Sequence, residues 1–299
     1  MHVFVTGATG FVGSAIVKEL LANGHTVTGL ARTDEGAKAL ETVGANVYRG
    51  SIYDLDSIRA GVALADGVIH TAFDHDFSKY KQNCETDRGV IAAMGEVLAG
   101  TTKPLIVTSG TALLKSDPIA KEDDGLPAGS DLIPRAASEE AADALAAQGI
   151  HASIVRLSPS THGDGDHGFV PMLIDIARQK GEAAYVGDGN NRWPGVHRFD
   201  AAALYRKALE KGAIGAKYHA VADSGVAFRD IATIIGKKLG IPVVSKTKEQ
   251  AAEYFGWMAH FAGVDNPSSS EQTQQQLDWQ PTHVGLLEDV ENGTYFEGK

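Results

Sequence analysis

Residues 2–13, HVFVTGATGFVG, decide the fold of this chain. The apolar and β-branched run at 2–6 predicts a short buried strand, and Gly7, Gly10 and Gly13 follow it at regular spacing. Gly7 permits the tight turn out of the strand, Gly10 leaves room for a phosphate to approach the backbone, and Gly13 lets the next helix pack closely on the strand. That helix would present free N–H groups and the positive end of its dipole to a pyrophosphate. The stretch therefore predicts a dinucleotide-binding loop.

Strand and helix patterns alternate through the residues that follow. Short apolar runs predict further strands at 25–31, 45–50, 66–73, 103–110 and 151–159. Helical periodicity lies between these runs, for example over 88–100. The apolar runs are nearly continuous rather than alternating, which is typical of a parallel sheet covered by helices on both faces. We therefore predict an α/β fold, a Rossmann-type doubly wound parallel sheet with a smaller C-terminal substrate lobe.

The pattern changes after residue 160. Loops rich in Gly, Asp and Asn follow, and helical periodicity returns over 224–240. The polar stretch 267–276, PSSSEQTQQQ, predicts a surface loop that leads into a helix. We expect residues 1–160 to form a dinucleotide-binding Rossmann domain. We expect residues 161–299 to form mainly a substrate-binding lobe, with some segments returning to the Rossmann core.

The composition narrows the class of partner. The chain has 299 residues and a net charge of -11, and an acidic surface repels nucleic-acid phosphates and anionic lipids. Its only cysteine, Cys84, cannot form an internal disulfide or supply a zinc cluster alone. The N-terminus continues directly into a strand without a signal peptide, and no apolar run is long enough to span a bilayer. We expect a cytoplasmic protein that acts on a small molecule, with no nucleic-acid or membrane partner.

The end of the second predicted strand indicates which dinucleotide binds. NAD-selective proteins place an acidic residue there to bond the ribose 2′-hydroxyl, but this strand ends at Ala31 and continues with Arg32. A guanidinium at that point suits a 2′-phosphate, so we predict NADP(H) rather than NAD(H) as the cofactor. Asp54 follows the third strand, where its carboxylate either accepts from the adenine amino group or caps the next helix.

A set of motifs carries a resemblance to a known family. They are TGATGFVG (6–13), IYDLDS (52–57), VIHTAF (68–73), VTSG (107–110), RLSPSTHGDGD (156–166), VHRFDAA (196–202) and LDWQPT (277–282). In this order and spacing the chain resembles the extended short-chain dehydrogenase/reductases, the NAD(P)-dependent epimerase/dehydratase-like group, over nearly its whole length. The resemblance implies a homodimer, in which the Ala-rich helices beside the central strands pack together.

The resemblance also implies contacts with cofactor and substrate. Beyond the three glycines, Arg32 and Asp54, the implied cofactor contacts are Thr6, Thr9, Phe11, Val12, Leu55, Thr71, Ala72, Phe73, Thr108 and Pro159. The expected substrate contacts are Asp74, beside the expected nicotinamide, and, in the loops that the family uses for substrate, His162, His167, Trp193 and His197. The spacing of the three histidines matches no familiar zinc site, so we expect no bound metal.

The family's catalytic pair is missing from its expected place. Family members use a Tyr that gives or takes the proton, and a Lys one helical turn later that lowers the pKa of the Tyr. The register between TSG (108–110) and RLSP (156–159) puts Arg135 at the Tyr position and Glu139 at the Lys position. The chain therefore resembles atypical members that keep the cofactor site and lack the pair. Arg135 is a poor general acid but can polarise a carbonyl, and we expect Glu139 to pair with it.

Other polar residues offer a source for the proton. Ser109 and Thr111 follow the fifth strand, where a hydroxyl either bonds a substrate oxygen or caps the strand end. His75 lies between Asp74 and Asp76, and such a cluster either holds a proton near neutral pH or forms a polar loop at the cleft mouth. The candidate catalytic residues are therefore Ser109, Thr111, Arg135 and His75.

These observations lead to one function and two alternatives. We predict an NADP(H)-dependent oxidoreductase that acts on a small carbonyl or alcohol, with a proton donor that differs from the family's. The first alternative is a non-catalytic NADP(H)-binding sensor or regulatory protein, because the catalytic pair is missing. The second is a sugar-nucleotide epimerase or dehydratase, which is less favoured because those reactions depend on the missing tyrosine.

Overall fold

The computed structural model describes residues 1–297, and the first half of the chain alternates strands with helices. The strands of this half are β1 (His2–Thr6), β2 (Thr26–Ala31), β3 (Asn46–Arg49), β4 (Gly67–His70), β5 (Leu105–Gly110) and β6 (Ala152–Leu157). The helices between them are α1 (Phe11–Ala22), α2 (Asp34–Thr42), α3 (Leu55–Ala63), α4 (Tyr80–Leu98) and α5 (Ala136–Ala147). Each strand predicted from an apolar run is present, although β4 ends before the loop at residues 71–73.

The second half is less regular. Its strands are β7 (Ser160–His162), β8 (Ala183–Val186), β9 (Arg192–His197), β10 (Lys217–Ala220), β11 (Asp223–Ala227) and β12 (Val243–Lys246). Its helices are α6 (Phe169–Lys180), α7 (Arg198–Lys211), α8 (Phe228–Leu239), α9 (Lys248–Phe255), α10 (Ala259–Gly263), α11 (Glu271–Leu277) and α12 (Leu286–Asn292). Within residues 1–297, none of the helices has the length and apolar character needed to cross a membrane.

A seven-stranded sheet forms the centre of the fold, in the order β10-β6-β5-β4-β1-β2-β3. Every neighbouring pair in it is parallel. The strand order reverses between β1 and β4, and in such sheets ligands bind outside the carboxyl ends of the strands at this point. The predicted fold class, a Rossmann-type doubly wound parallel sheet, is confirmed.

Helices cover both faces of this sheet, as the side chains of β1 illustrate. Val3 and Val5 point to one face and pack in a cluster with Ile16 of α1, whereas Phe4 points to the other face and packs with Ile58 of α3. All three β1 side chains are completely buried. Burial on both faces explains why the strands are continuous apolar runs in the sequence.

Two smaller sheets lie in the C-terminal part of the chain. β11, β9 and β7 form one of them, and β12 pairs with β8 in the other. The surrounding helices bury a separate apolar cluster that includes Trp193, Phe228 and Phe255. β10 instead lies beside β6 in the large sheet, and α7 packs on α1, so residues 198–220 are part of the Rossmann core.

The structure corrects the predicted starts of two helices. The helix predicted over 224–240 begins at Phe228, because residues 223–227 pair with β9 as strand β11. The helix predicted from residue 88 begins at Tyr80. This extension of α4 matters for the site, because it places Asp87 inside a helix.

Residues 267–270 do not form the surface loop that their composition predicts, whereas the predicted helix follows as α11. The three serines at 268–270 are buried. The Ser269 N–H donates to the Ala120 carbonyl at 2.8 Å, and Ser270 Oγ donates to the Val221 carbonyl at 2.6 Å. Small polar side chains can be buried when backbone groups satisfy their hydrogen bonds, so polarity alone misassigns such a segment.

Candidate active site

The glycine loop lies between β1 and α1, where the strand order reverses. Gly7 has φ +66°, and a Cβ at this residue would lie 2.6 Å from Thr71 Oγ1, so only glycine fits there. A Cβ at Gly13 would lie 2.0 Å from the Gly7 carbonyl oxygen, so the missing side chain keeps α1 tight against the loop. α1 begins at Phe11 with no side-chain cap and no acidic residue in its first turn. Its free N–H groups and uncompensated dipole fit a cofactor pyrophosphate.

The other predicted cofactor residues gather at the same edge of the sheet. Thr71 Oγ1 donates to the Thr6 carbonyl at 2.8 Å, which joins the ends of β4 and β1. The remaining ones follow β1, β3, β4 and β6 at their carboxyl ends, and they are Thr9, Gly10, Val12, Leu55, Ala72, Phe73 and Pro159. A dinucleotide binds along this edge in doubly wound sheets, so their contact with the cofactor stays a prediction consistent with the fold.

Arg32 lies exposed at the end of β2. Its acidic neighbour Asp34 pairs with Arg49 at 2.6 Å instead. Arg49 also donates to the Thr33 carbonyl, and Thr33 Oγ1 caps α2 by accepting from the Gly36 N–H at 3.1 Å. In residues 1–297, Arg32 has no carboxylate within ion-pair distance, so its charge is available to a ligand.

Asp54 caps α3, one of the two roles predicted for it. Its Oδ1 accepts from the Ser57 N–H at 3.1 Å. The side chain is exposed, and this cap uses only one of its two carboxylate oxygens. The cap therefore leaves Oδ2 for the predicted contact with the adenine amino group.

A buried hydrogen-bonded chain leads from the glycine loop to Arg135. Thr6 Oγ1 and His70 Nδ1 are 2.6 Å apart, at the ends of the neighbouring strands β1 and β4. His70 Nε2 lies 2.9 Å from Asp87 Oδ1, and Arg135 Nη1 donates to Asp87 Oδ2 at 2.8 Å. The side chains of His70 and Asp87 are only 2% and 3% exposed. These hydrogen bonds connect β1, β4, α4 and the residue that precedes α5.

The groups around Asp87 keep it ionised. Burial alone would raise the pKa of this carboxyl, but the His70 imidazole, the Arg135 guanidinium and the Ser138 hydroxyl outweigh burial and lower the pKa to about 2. Because a carboxylate only accepts hydrogen bonds, His70 Nε2 and Arg135 Nη1 are the donors. Asp87 therefore holds Arg135 in an ion pair throughout the neutral pH range.

Arg135 occupies the expected tyrosine position, immediately before α5. Its guanidinium lies over the Phe73 ring, 4.3 Å from the centroid, and Nη2 donates to the Thr108 carbonyl at 3.1 Å. The side chain is 15% exposed. Phe73 follows β4 and Thr108 lies in β5, so Arg135 reaches the carboxyl ends of two strands beside the strand-order reversal. A guanidinium there can polarise an oxygen, but it cannot release a proton.

Glu139, at the expected lysine position, does not pair with Arg135 as predicted. It pairs with Arg156 of β6, which donates from Nε at 2.9 Å and from Nη2 at 2.8 Å. Both side chains are almost completely buried. Burial alone would raise the pKa of Glu139, but the hydrogen bonds and charge of Arg156 lower it. A buried guanidinium requires a counter-charge, which explains why Glu139 turns toward the sheet.

The spacing Tyr-x-x-x-Lys does occur in this chain, at Tyr295 and Lys299. The Tyr295 hydroxyl donates to Asp166 Oδ2 at 2.8 Å. Lys299 lies outside the described residues. This pair is far from the register that precedes β6, so Arg135 and Glu139 remain the residues at the family's catalytic positions.

The two hydroxyls predicted to face the substrate are turned into the protein. Ser109 is 5% exposed and lies beside the buried Glu139 carboxylate. Thr111 is completely buried, and its Oγ1 donates to Asn266 Oδ1 at 3.5 Å. The prediction that these residues supply a proton is therefore not supported by their positions.

His75 lies at the cleft mouth on the loop after β4. Its ring centroid is 5.3 Å from that of Phe73. Desolvation by the surrounding protein atoms and the charge of Arg135 lower the pKa of His75. Its imidazole is therefore neutral at neutral pH and is not the ready proton store that the sequence suggested.

Three of the predicted substrate residues lie in the protein interior. Trp193 is 2% exposed, and its indole N–H donates to a backbone carbonyl at 3.1 Å. His162 is completely buried, with Nδ1 2.7 Å from Asp289 Oδ2. The ring of His197 stacks on that of His283 at 4.7 Å, and burial lowers the pKa of His197 to about 4. These residues were expected at the substrate because of the loops in which they lie, but tertiary packing turned their rings inward.

Asp74 and His167 are at least partly exposed, so their predicted contact with substrate stays a prediction. Asp74 accepts a hydrogen bond from the Tyr53 hydroxyl, and the exposed His167 ring is 5.8 Å from that of Phe11. The structure adds aromatic residues beside Arg135 that the sequence analysis missed, namely Phe77, Tyr80 and Trp257. The run of rings in FDHDFSKY (73–80) was the available signal for two of them. No three metal-binding side chains of residues 1–297 are grouped to hold an ion.

Comparison with known proteins agrees with this fold. The sequence profile of the NAD dependent epimerase/dehydratase family matches residues 3–222. An uncharacterised protein of Schizosaccharomyces pombe is 52% identical over 297 residues, which are 99% of this chain and 100% of that protein. The 2-alkyl-3-oxoalkanoate reductase of Stenotrophomonas maltophilia is 31% identical over 230 residues, which are 72% of this chain and 67% of that protein.

A solved structure has the same architecture. The dTDP-glucose 4,6-dehydratase of Streptomyces venezuelae, with NAD bound, superposes with a TM-score of 0.77 at 20% identity, and the match covers 99% of each chain. The chain therefore belongs to the NAD dependent epimerase/dehydratase family, within the extended short-chain dehydrogenase/reductases. This membership defines it as an NAD(P)-dependent enzyme of the oxidoreductase type.

We expect Asp87→Asn to lower stability in a pH-dependent way. The folded-state pKa of Asp87 is lowered to about 2, so its stabilising contribution is complete above the unfolded-state pKa of about 4 and is lost as pH falls through about 2. The pH-dependent part of the difference in unfolding free energy between wild type and variant should be about 2 kcal/mol. Urea denaturation across this acid range measures it.

Asp175→Asn is the matched control, because Asp175 is half exposed and, within residues 1–297, pairs only with Arg178 on the same helix. Its difference from wild type should be small and nearly independent of pH. A difference for Asp87→Asn that stays constant between neutral pH and pH of about 2 would show that Asp87 is not held ionised.

Proposed function

We propose that this chain is an NADP(H)-dependent oxidoreductase that interconverts a small carbonyl compound and its alcohol. The observation that supports this most strongly is the guanidinium of Arg135, held by Asp87 over the Phe73 ring at the expected tyrosine position. When bound, NADPH supplies a hydride to the carbonyl carbon while a proton adds to the oxygen, giving the alcohol and NADP⁺. The residues of the chain bind the two molecules, polarise the oxygen and provide the proton.

Arg32 supports NADP(H) rather than NAD(H) as the cofactor. It is exposed at the end of β2, where an NAD-selective protein has an acidic residue. The nearby Asp34 does not compete for it, because Arg49 already neutralises that carboxylate. The Arg32 guanidinium is therefore available for a bidentate bond to the 2′-phosphate.

Arg198, the first residue of α7, supplies a second cation beside the cofactor loop. Its guanidinium lies 4.7 Å from the centroid of the Phe11 ring, and Nη2 donates to Ser14 Oγ at 3.1 Å. Gly163 makes room for it, because a Cβ there would lie 3.0 Å from Arg198 Cγ. Within residues 1–297 its hydrogen bonds go to the Ser14 hydroxyl and the Asp164 carbonyl, not to a carboxylate. We assign its charge to the cofactor pyrophosphate at the start of α1.

Binding of nucleotide fragments separates the roles of the two arginines. Arg32→Ala should weaken NADPH and 2′-AMP binding about tenfold to a hundredfold, the range for a charge-assisted bond, and leave ADP-ribose binding unchanged. Arg198→Ala should weaken NADPH, NADH and ADP-ribose binding but not that of 2′-AMP, which has no pyrophosphate. Titration calorimetry gives each dissociation constant.

Arg178→Ala is the control for both variants, because Arg178 lies on α6 and pairs with Asp175. In Arg178→Ala the dissociation constants of NADPH, NADH, ADP-ribose and 2′-AMP should all be unchanged. Wild-type protein that binds NADH more tightly than NADPH would refute the cofactor assignment. Unchanged ADP-ribose binding in Arg198→Ala would refute the pyrophosphate contact alone.

The proton requires a donor other than Arg135. Burial raises the pKa of both Tyr80 and Tyr205, and both lie close enough to Arg135 for its charge to oppose that rise. Tyr205 is completely buried, with its hydroxyl 2.7 Å from Thr108 Oγ1, so it is closed off from the cleft. Tyr80 is only partly buried, and its ring lies 6.4 Å from that of Phe73. We assign Tyr80 as the donor, because its phenol is protonated at neutral pH and the charge of Arg135 opposes the rise in its pKa that burial and the neighbouring Cys84 cause.

Tyr80→Phe should lower kcat for benzaldehyde reduction about a hundredfold or more, the usual loss when a general acid is removed. The dissociation constant of NADPH should not change, because Tyr80 is not among the assigned cofactor contacts. NADPH absorbance under steady-state conditions measures the rate. Tyr185→Phe, on β8, is the matched control and should keep wild-type kcat. A wild-type kcat in Tyr80→Phe would rule Tyr80 out as the donor.

A non-catalytic NADP(H)-binding sensor is the second candidate. The observation that favours it is the buried pair of Glu139 and Arg156, which leaves no lysine at the family position to hold the nicotinamide ribose. A purified protein that binds NADPH but oxidises it with no member of a broad panel of aldehydes and ketones would be such a sensor.

A further inference from the structure

A row of rings lies beside Arg135. We call it the aromatic belt and define it as Phe73, His75, Phe77, Tyr80 and Trp257. Neighbouring centroids are 5.3 Å apart for Phe73 and His75, 6.3 Å for His75 and Phe77, and 5.4 Å for Phe77 and Trp257. Four of these residues follow β4, whereas Trp257 comes from the turn between α9 and α10. The belt therefore joins the Rossmann part of the chain to the C-terminal lobe.

Phe77 and Trp257 form the outer end of the belt. Their rings stack at an interplanar angle of 28°, yet Phe77 is 47% exposed and Trp257 is 55% exposed. Adjoining exposed aromatic rings, unlike scattered single apolar residues, are a feature of surfaces that bind a ligand or a partner. A planar ring placed here would stack on faces that are still open to solvent.

The inner end of the belt is polar. Phe73 carries the Arg135 guanidinium on its face, 4.3 Å from the ring centroid. Tyr80 lies beside the same ring, at 6.4 Å. The belt therefore has the Arg135 guanidinium and Tyr80 at its inner end, and the half-exposed rings of Phe77 and Trp257 at its outer end. This gradient fits a molecule with a polar oxygen at one end and an apolar planar body at the other.

The charges beside the belt disfavour anionic ligands. Asp74 and Asp76 lie among the belt residues, and hydrogen bonds from neighbouring hydroxyls lower the pKa of both carboxyls. Lys79 is 3.7 Å from Asp76, and the charges of Arg32 and Lys79 both act on Asp74. Arg135 is already paired with Asp87. With Arg32 assigned to the 2′-phosphate of the cofactor, a diphosphate at the outer end would meet two carboxylates that are offset by Lys79.

We propose that the cleft takes aromatic aldehydes or ketones, with the ring against Phe77 and Trp257 and the carbonyl oxygen toward Arg135. This inference rests on the proposed oxidoreductase function, because it names the substrate class of the same site. The exposed ring faces select a neutral planar body, and the inner cation selects the carbonyl oxygen. A sugar nucleotide, with two phosphates and a non-planar sugar, fits neither end.

A matched pair of aldehydes tests the inference. Benzaldehyde and cyclohexanecarbaldehyde have the same ring size and the same functional group, but only the first is planar and aromatic. We expect wild-type protein with NADPH to reduce benzaldehyde with a kcat/KM about tenfold higher, the range for one or two aromatic contacts. Saturation-transfer NMR in the presence of NADP⁺ measures binding of the same two probes without turnover.

Trp257→Leu and Phe77→Leu keep apolar bulk and remove only the aromatic face. Each should reduce the preference for benzaldehyde about threefold or more, in both turnover and binding, while the dissociation constant of NADPH stays constant. Leu64→Ala is the control, because Leu64 is also an exposed apolar residue, at 62%. It lies just after α3 and before the start of β4, whereas the belt residues follow the end of β4. Leu64→Ala should keep the wild-type preference.

The outcomes separate this inference from the proposed function. Three results would overturn the aromatic assignment. They are equal kcat/KM and equal binding of the two aldehydes in wild type, no binding of either aldehyde, and an unchanged preference in both leucine variants. Preferential binding of benzaldehyde that depends on Trp257, with no NADPH oxidation, would support the assignment of the cleft while refuting the oxidoreductase activity.

Discussion

The ion pair of Arg135 and Asp87 is the interaction on which the site depends. Asp87 is buried in α4, and its partners come from β4 and from the residue before α5. Removing one partner of such a pair leaves an uncompensated buried charge at a cost of about 3–5 kcal/mol, so the three elements are held together by it. The consequence for function is that Arg135 is fixed over Phe73, beside the glycine loop, instead of moving freely in solvent.

The two positions of the family's catalytic pair carry separate ion pairs in this chain. Position 135 has a permanent cation bound to Asp87, and position 139 has an anion bound to Arg156. A cation is therefore kept in this part of the fold, but at the tyrosine position instead of the lysine position, and under the proposed function it faces the substrate oxygen. Because a guanidinium polarises an oxygen without giving up its proton, binding of the oxygen and delivery of the proton must be divided between two residues.

The sheet and the glycine loop could be predicted because their signals are local in the sequence. The positions of Arg135 and Glu139 were also accessible, since the motifs on either side set their register. Asp87 was not, because its partners are 17 and 48 residues away and only the fold brings them together. Trp193 and His162 were assigned to the substrate because they lie in loops that the family uses for it, but the position of a loop does not show the direction in which a side chain points.

The most direct test measures benzaldehyde reduction and NADPH binding in Arg135→Ala and Arg135→Lys. If Arg135 polarises the substrate oxygen, the alanine variant should lose about a hundredfold or more in kcat, as expected for a lost electrostatic contact, with NADPH affinity unchanged. The lysine variant, which keeps the positive charge, should recover part of that loss. A wild-type kcat in Arg135→Ala would contradict a role for this guanidinium in the reaction.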